Sequence, residues 1–355
     1  MTVVGLDLHK HYITACAIDA QGAVIAEHRR VRPELSTIIE CLASLPAPVT
    51  VAMEATLYWA WLQEHLVARG YEVQVAHAYQ VKLIWQARAK TDPIDAYKLA
   101  ELTRVQCLPA IWVADGTTRA RRVLLRGRAQ LVRVRTQLKN RVHGLLLSVN
   151  CRWERSDLYG VAGRAWLTTL ALPPAVRQQV DVFLELIDEL NVRLKRLDRA
   201  VLQAAHDDPV AERLQTVPGI GPFSALLILA EIGSVARFQT SHELAAYAGL
   251  VPSTRSSGDK TTHGGVGRSG SSWLKWILIE VVQALKLAPG PIGLHYQHLL
   301  RAKGKQKATV AAARKLCCYV YWMLTNGWTY EEWLRQHEDH HELGVRPRQP
   351  LGSAA

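Results

Sequence analysis

Residues 2–31 read TVVGLDLHKHYITACAIDAQGAVIAEHRRV, and this stretch decides the fold of the N-terminal part of the chain. Apolar and polar residues alternate with a period of two and include many Val, Ile, Thr and Tyr residues, which is typical of β-strands. Short turns, one of them Ala20-Gln21-Gly22, separate the runs TVVGLDL, HYITACAID and AVIAEHRRV. The chain is therefore predicted to begin with an antiparallel meander of three strands.

Helix and strand patterns alternate after this meander. A helix-like stretch around Glu34 to Ala43 precedes the strand VTVAME, the helix-like LYWAWLQEHLVARG and the short strand YEVQVA. The order strand, strand, strand, helix, strand, helix, strand is that of ribonuclease-H-like domains, so we expect an α/β domain with a mixed sheet. In that architecture the first strand carries an aspartate at its middle or end, and the fourth strand ends beside it.

Four carboxylates lie where a metal-dependent nuclease needs them. Asp7 ends the apolar run TVVGL, Glu54 ends VTVAM, and Asp92 and Asp95 lie in KTDPIDAYKLA, which reads as the start of a helix. An acid just past an apolar strand costs burial energy unless a cation is near, and helical spacing puts Asp92 and Asp95 on nearly one face. The four are predicted to share a Mg²⁺ site. Taken alone, Asp92 and Asp95 fit a helix cap and a first-turn acid equally well.

The charge of the chain indicates a polyanionic partner. The 355 residues carry a formal net charge of +12, and 49% of them are hydrophobic, which is enough for two or three domains. Phosphate neutralisation by Lys and Arg dominates nucleic-acid affinity, so nucleic acid is the expected partner. No apolar run approaches the length of a membrane span, and no secretory signal is visible. We expect a cytoplasmic protein that acts on phosphodiesters.

A strongly basic helical stretch covers residues 119–141. No acidic residue lies nearby in the sequence, and Leu and Val residues form an apolar stripe. One face is expected to pack while the other follows a phosphate backbone, and a solvated basic face is the ordinary alternative. The predicted nucleic-acid contacts here are Arg119, Arg122, Arg126, Arg133 and Lys139.

Two features follow in the helical part of the chain. VDVFLELIDELNVRLKRLDRAVLQAA predicts a long helix, which either joins subunits as a coiled-coil pair or packs within one chain. VPGIGP, at Val217 to Pro222, matches the hairpin of a helix-hairpin-helix element. There the backbone amides of Gly219 and Gly221 are expected to approach phosphate, and a tight turn without a ligand is the alternative.

The stretch LVPSTRSSGDKTTHGGVGRSGSSWLK is rich in Ser, Gly, Thr and cations and lies between two apolar helices. This composition is typical of a flexible loop that faces phosphate. Arg255, Lys260 and Arg268 are its predicted phosphate contacts. The stretch contains six serines, most of which composition alone assigns to linkers or caps: Ser253, Ser256, Ser257, Ser269, Ser271 and Ser272.

Taken in order, VGLDLHK, AMEAT, KTDPIDAYKLA, PGIGPFSALLILAEIG and YAGLVPSTRSSGDKTTHGGVGRSGSSWLK resemble the DEDD-type insertion-sequence transposases. These enzymes are also called bridge-RNA-guided recombinases and are related to Piv-type DNA invertases. The resemblance covers nearly the whole chain. It implies a RuvC-like domain at residues 1–110, a basic helical and coiled-coil linker at 111–210, and a mainly helical transposase domain at 211–335. Residues 336–355 are expected to form a disordered tail.

The resemblance also implies roles for particular residues. Asp7, Glu54, Asp92 and Asp95 match the family tetrad, which implies Mg²⁺ or Mn²⁺. A serine in the loop after GLVP forms a covalent phosphoserine link to DNA in such enzymes. That role falls on Ser257, with Ser256 as the alternative because one sequence does not fix the register of a loop.

The implied partners are double-stranded DNA, a structured non-coding guide RNA and further copies of the chain in a dimer or tetramer. The serine and the tetrad must meet within one subunit or across two. Two other classes of protein stay open. A RuvC-like, junction-resolving Mg²⁺-dependent endonuclease would activate water and would not need the serine. A non-catalytic binding protein would leave the four carboxylates without a role.

Overall fold

The computed structural model describes residues 1–85, 91–155, 157–257, 260–266 and 270–336, with the backbone alone at 254–257 and 260–263. The chain divides into two compact units, Met1–Ala114 and Asp115–Ala355. The first unit is mixed α/β and the second is mostly helical, which confirms the predicted fold class at this level. The predicted disordered tail lies, from residue 337 onward, outside the described residues. Among the described helices, none is both long enough and apolar enough to cross a membrane.

A five-stranded mixed sheet forms the centre of the first unit, with the strand order β3-β2-β1-β4-β5. The strands β1, β2 and β3 pair antiparallel, whereas β4 pairs parallel with both β1 and β5. The predicted three-stranded meander is therefore confirmed. The strands are β1 (Thr2–Leu8), β2 (Ile13–Ile18), β3 (Val24–Val31), β4 (Val49–Glu54) and β5 (Glu72–Ala76).

Helices cover both faces of this sheet. They are α1 (Leu35–Ala43), α2 (Trp59–Val67), α3 (Ala78–Ile84) and α4 (Asp92–Arg104). Val4, Leu6 and Leu8 of β1 point to one face and pack in a cluster that includes residues of α1 and α2. Val3 points to the other face and packs with Ala96 of α4. The alternation of side chains along a strand thus separates the two layers of the core.

Gly5 lets helix α4 lie directly on strand β1. A Cβ atom at this position would come within 1.9 Å of the carbonyl oxygen of Ala96 and 2.8 Å of the amide nitrogen of Ala100. Since real Cβ atoms do not approach backbone this closely, only glycine fits here. The contact fixes the first turns of α4 beside the carboxyl end of β1.

Among the described residues, the second unit consists of nine α-helices, one short 3-10 helix (Val235–Arg237) and one hairpin. The helices are α5 (Gly116–Ser148), α6 (Val161–Thr169), α7 (Pro174–His206), α8 (Pro209–Gln215), α9 (Pro222–Ile232), α10 (Ser241–Tyr247), α11 (Ser272–Leu285), α12 (Pro291–Asn326) and α13 (Tyr330–Arg335), and the strands are β6 (Pro252–Ser257) and β7 (Lys260–Val266). Each of the helices from α7 through α13 contributes side chains to its core, a large cluster of buried aliphatic and aromatic residues.

The long helix α7 packs against α5 of the same chain. Val180, Ile187, Leu194 and Val201 of α7 are buried and recur at heptad spacing. Of the two alternatives for this helix, a coiled-coil pair between subunits or packing within one chain, the structure shows packing within one chain.

The Ser/Gly-rich stretch forms a two-stranded hairpin where the sequence analysis expected a flexible loop. In the antiparallel register, Ser257 pairs with Lys260 and Arg255 pairs with Thr262. The physical reason is visible in the sequence, because Thr and Ser residues with strand character flank the turn-forming dipeptide Gly-Asp at 258–259. Arg268, a predicted phosphate contact, lies outside the described residues.

Candidate active site

The strand register brings Asp7 and Glu54 to neighbouring positions. Strands β1 and β4 are parallel, and Leu6 of β1 pairs with Met53 of β4. The next residue on each strand is one of the two acids. Because side chains alternate along a strand, Asp7 belongs to the same face as Gly5, the face that α4 covers.

The first turn of α4 brings Asp92 to Asp7. Both carboxylates lie near the ring of His9, whose Nε2 atom is 3.0 Å from Oδ2 of Asp7 and 3.4 Å from Oδ1 of Asp92. One ligand atom from each of the three residues lies within 4.8 Å of the others. Carboxylate oxygens and imidazole nitrogens are common ligands of divalent metals, so the side chains present fit such an ion.

The other two members of the predicted tetrad lie outside this tight group. Asp95 is close enough for its charge to raise the pKa of Asp7, and its Oδ1 atom is 3.8 Å from Nζ of the buried Lys98. Glu54 ends β4 and is half-buried. The structure thus brings Asp7, Asp92 and Asp95 together around the end of β1, and the strand register sets Glu54 beside them.

The electrostatics of this group favour a cation. Burial raises the pKa of Asp7, His9 opposes that rise, and the negative charges of Asp95 and Asp92 add to it. Carboxylates that repel one another in a partly buried place are stabilised by a bound positive ion. The site is therefore suited to a divalent metal on the grounds of charge as well as ligand type.

Three further residues at this site were not predicted from the sequence. They are His9, Tyr12, whose hydroxyl donates to Oδ2 of Asp92 at 3.0 Å, and Tyr58, whose hydroxyl donates to the carbonyl oxygen of His9 at 2.8 Å. A signal for His9 was present in the sequence, because it lies two positions after Asp7, just past the end of β1. The tyrosines depend on contacts distant in sequence, which no local pattern shows.

The serines of the hairpin region differ in their surroundings. Ser253 Oγ donates to the carbonyl oxygen of Gly265 at 3.1 Å across the hairpin. Ser271 caps helix α11 and donates to Oε2 of Glu231 at 2.9 Å. Both hydroxyls thus have structural partners. Ser256 and Ser257 end strand β6, and Ser269 lies outside the described residues.

The predicted helix-hairpin-helix turn lies between α8 and α9. Gly219 has a φ of +84°, and a Cβ atom there would come within 3.1 Å of the Cβ of Ala284. The turn therefore needs glycine at this position for packing and backbone conformation. A Cβ atom at Gly221 would meet open space, so packing places no such demand on it. Phosphate contact by either amide stays a prediction.

The basic stretch on α5 has acidic partners that are distant in sequence. Arg126 donates from Nε and Nη2 to the two carboxylate oxygens of Glu231, at 2.8 and 2.9 Å. Glu231 is 1% exposed. Arg122 donates to the backbone carbonyl oxygens of Ala230 and Glu231. The premise that these cations lack acidic partners is therefore wrong for Arg126, because the partner lies on α9.

Two further cations of this stretch rest on aromatic rings. Arg133 lies over Trp273 and Trp276, with its guanidinium carbon 4.8 and 5.3 Å from the ring centroids. Lys139 Nζ lies 4.5 Å from the ring centroid of Tyr159. These contacts tie α5 to its neighbours. A role in nucleic-acid binding for these residues and for Arg119 stays a prediction.

We expect the Arg126→Ala variant to lose about 3 kcal/mol of unfolding free energy, because it leaves the buried Glu231 carboxylate without its ionic partner. The hydrogen bond from Ser271 remains and limits the loss. The measurement is equilibrium denaturation. Arg133→Ala is the matched control, since it removes cation–π contacts worth about 1 kcal/mol. Equal losses of unfolding free energy in the two variants would show that the ion pair of Arg126 with Glu231 contributes no more to stability than the cation–π contacts of Arg133.

Comparisons with known proteins agree with these features. A family model of DEDD transposases of the IS110 type matches residues 4–151, and a model described as "Transposase IS116/IS110/IS902 family" matches residues 211–297. A probable family 20 transposase of Pseudomonas aeruginosa is 30% identical over 291 residues, which cover 79% of this chain and 83% of the relative. The transposase of insertion sequence element IS1328 from Yersinia enterocolitica is 26% identical over 94% of this chain and 99% of its own length.

A protein named for a different role is also similar to this chain. The pilin gene-inverting protein of Moraxella lacunata is 25% identical over 95% of this chain and 99% of its own length. The likeness therefore extends over both units of the chain, and it includes proteins named for moving DNA and a protein named for inverting a gene. The chain belongs to the IS116/IS110/IS902 family of insertion-sequence transposases and is a DNA transposase, an enzyme of DNA recombination.

Proposed function

We propose that this transposase cuts and rejoins DNA strands through a covalent phosphoserine intermediate on Ser257, with a divalent metal held by Asp7, Glu54, Asp92 and Asp95. The observation that carries the metal half of this proposal is the group of Asp7, His9 and Asp92 at the end of β1. The carboxylate oxygens of such a group are the ligands that Mg²⁺ and Mn²⁺ prefer.

We further infer a ribonuclease-H-like fold for the first unit. Its support is the combination of an antiparallel β1-β2-β3 meander with the parallel strands β4 and β5 on the other side of β1. The central strand β1 carries Asp7 near its carboxyl end, and the neighbouring parallel strand ends at Glu54. Helix α4 then supplies its acids to the same face of the sheet.

The chemistry conserves the energy of the phosphodiester bond. The hydroxyl of Ser257 loses its proton, its oxygen attacks phosphorus, and the bond from phosphorus to one bridging oxygen breaks as that oxygen takes up a proton. The phosphate stays esterified to the serine. A hydroxyl at the end of another DNA strand then attacks the same phosphorus, which rejoins DNA and returns the proton to the serine.

Each group of residues has a separate task in this scheme. A bound divalent metal would supply positive charge that stabilises the negative charge developing on the phosphate group. Asp7, Glu54, Asp92 and Asp95 would hold that ion. His9 bridges Asp7 and Asp92 and keeps them in one place, and Tyr12 orients the Asp92 carboxylate through its hydrogen bond.

Double-stranded DNA is the substrate in this proposal, and a structured non-coding RNA guides the choice of site. The proposal of a guide RNA rests on the resemblance of the sequence to the family. Assembly as a dimer or tetramer belongs to the proposal on the same ground. A net charge of +12 supports a polyanionic partner of either kind.

Direct measurement of metal binding tests the proposed site. We expect the full chain to bind Mn²⁺ in isothermal titration calorimetry, and Asp92→Asn to abolish that binding because it removes a charged ligand. Asp19→Asn is the matched control, since Asp19 lies at the turn after β2, outside the proposed site, and accepts backbone hydrogen bonds from Gln21 and Ala23. Wild-type affinity in Asp92→Asn would remove Asp92 from the metal site.

A further inference from the structure

Helix α12 turns a corner at Gly304. This residue has a φ of 75° and a ψ of 167°, which are not helical values. Burial lowers the pKa of His295, and the charges of Lys315, His298 and Lys303 lower it further. A straight helix would hold His295 and Lys315 about 30 Å apart, too far for such an effect. The bend therefore brings the two arms of α12 toward each other.

Both arms of this corner are anchored in the core. Ile292 and Tyr296 of the first arm and Ala308 and Ala312 of the second arm are buried. The apex at residues 301–307 is exposed between them. Because packing on both sides fixes the backbone, the apex holds its side chains on a rigid support.

The apex carries four cations and no acid. Its sequence is RAKGKQK, and Arg301, Lys303, Lys305 and Lys307 are all exposed. None of the salt bridges between described residues involves any of these four cations. Four like charges on one short corner repel each other, and a polyanion relieves that repulsion.

This arrangement differs from the basic stretch of α5. There, Arg126 is paired with a buried carboxylate and Arg133 rests on two tryptophan rings. Contacts within the protein thus engage those side chains, whereas the cations of the α12 apex point to solvent. The established partner of a transposase is DNA, whose duplex carries one negative charge per about 1.7 Å of its axis.

We propose that this apex, residues 301–307, is a binding site for the phosphate backbone of duplex DNA. Lysine ammonium groups act on phosphates as point charges and read no base. The site therefore contributes affinity that is independent of DNA sequence and depends strongly on salt. It requires neither the metal nor the serine, so its test is separate from that of the proposed mechanism.

The test compares two full-length variants with equal loss of charge. The apex variant combines Lys303→Gln, Lys305→Gln and Lys307→Gln and keeps Gly304. The control combines Arg193→Gln, Lys195→Gln and Arg196→Gln at exposed positions of α7. Fluorescence anisotropy follows the binding of a short DNA duplex of arbitrary sequence over a range of salt concentrations without divalent metal.

The apex variant is expected to flatten the dependence of log K on log salt by about 0.9 for each lost phosphate contact, hence by about 2 to 3 in total. The control is expected to keep the wild-type slope. An unchanged slope in the apex variant, or an equal change in both variants, would overturn the proposal. So would a loss seen with a structured RNA probe and not with duplex DNA. The single change Lys305→Gln, expected to lower the slope by about 0.9, serves if the triple variant does not fold.

Discussion

Asp7→Asn is expected to lower recombination between donor and target DNA by about a thousandfold or more while the protein stays folded. Asparagine keeps the size of the side chain and an oxygen that accepts from His9, but it removes the negative charge that holds a cation. The measurement is the yield of recombined DNA, with thermal unfolding recorded in parallel.

The stability of this variant follows from the charges around Asp7. Burial and the charges of Asp95 and Asp92 raise the pKa of Asp7, so the ionised carboxylate is unfavourable in the folded protein without a cation. A neutral amide relieves that repulsion, and we expect an unfolding temperature equal to that of the wild type or higher. Asp19→Asn, in an exposed turn, should retain full recombination. Full activity of Asp7→Asn with unchanged metal dependence would exclude Asp7 from the site.

Ser257→Ala is expected to reduce strand cleavage to background while Ser256→Ala retains it. The change deletes the attacking oxygen, and no other group of this chain replaces it in the proposed chemistry. The cost in stability should stay within about 0.5 kcal/mol, because the change deletes one hydroxyl group at the last residue of strand β6. Cleavage of labelled DNA on a denaturing gel is the measurement.

The two serines are good controls for each other. Successive positions of a strand belong to opposite faces of a hairpin, so Ser256 and Ser257 are not interchangeable. Loss of cleavage in Ser256→Ala alone would move the nucleophile by one residue. Retention of cleavage in both variants would contradict the serine mechanism and favour an endonuclease that activates water.

Local periodicity in the sequence was sufficient to predict the sheet of the first unit. The alternation in residues 2–31 predicted three antiparallel strands, and the structure has β1, β2 and β3 there. The position of Asp7 at the end of an apolar run also indicated a site, because burial makes an unpaired acid costly. What the sequence could not show was the contact of Gly5 with Ala96, which sets α4 beside Asp7.

Long-range partners account for the incorrect part of the sequence analysis. The cations of the basic stretch were expected to lack acidic partners. This was wrong for Arg126 because its partner Glu231 is 105 positions away along the chain. The hairpin of β6 and β7 was expected as a loop because its Ser and Gly content outweighed the strand-forming threonines around Gly258-Asp259. Composition describes a segment, whereas pairing depends on which residues face each other.

The bend in α12 shows another limit of structure prediction from local sequence. The sequence RAKGKQK shows only a basic stretch that leads into a helix, and a single glycine does not by itself predict a bend. Gly304 instead adopts a positive φ and separates two arms that are each buried in the core. Packing of the flanking residues decides this outcome, and it turns an ordinary basic stretch into an exposed apex.

The most direct test of the proposed mechanism is to identify the atom that joins protein to DNA. Reactions with Mg²⁺ are stopped with denaturant, the protein is digested, and mass spectrometry locates the nucleotide adduct. We expect a phosphodiester-linked nucleotide on Ser257, present with Mg²⁺ and absent both without it and in Asp7→Asn. Cleaved DNA with free ends, and no adduct on any serine of the 252–272 segment, would contradict the account.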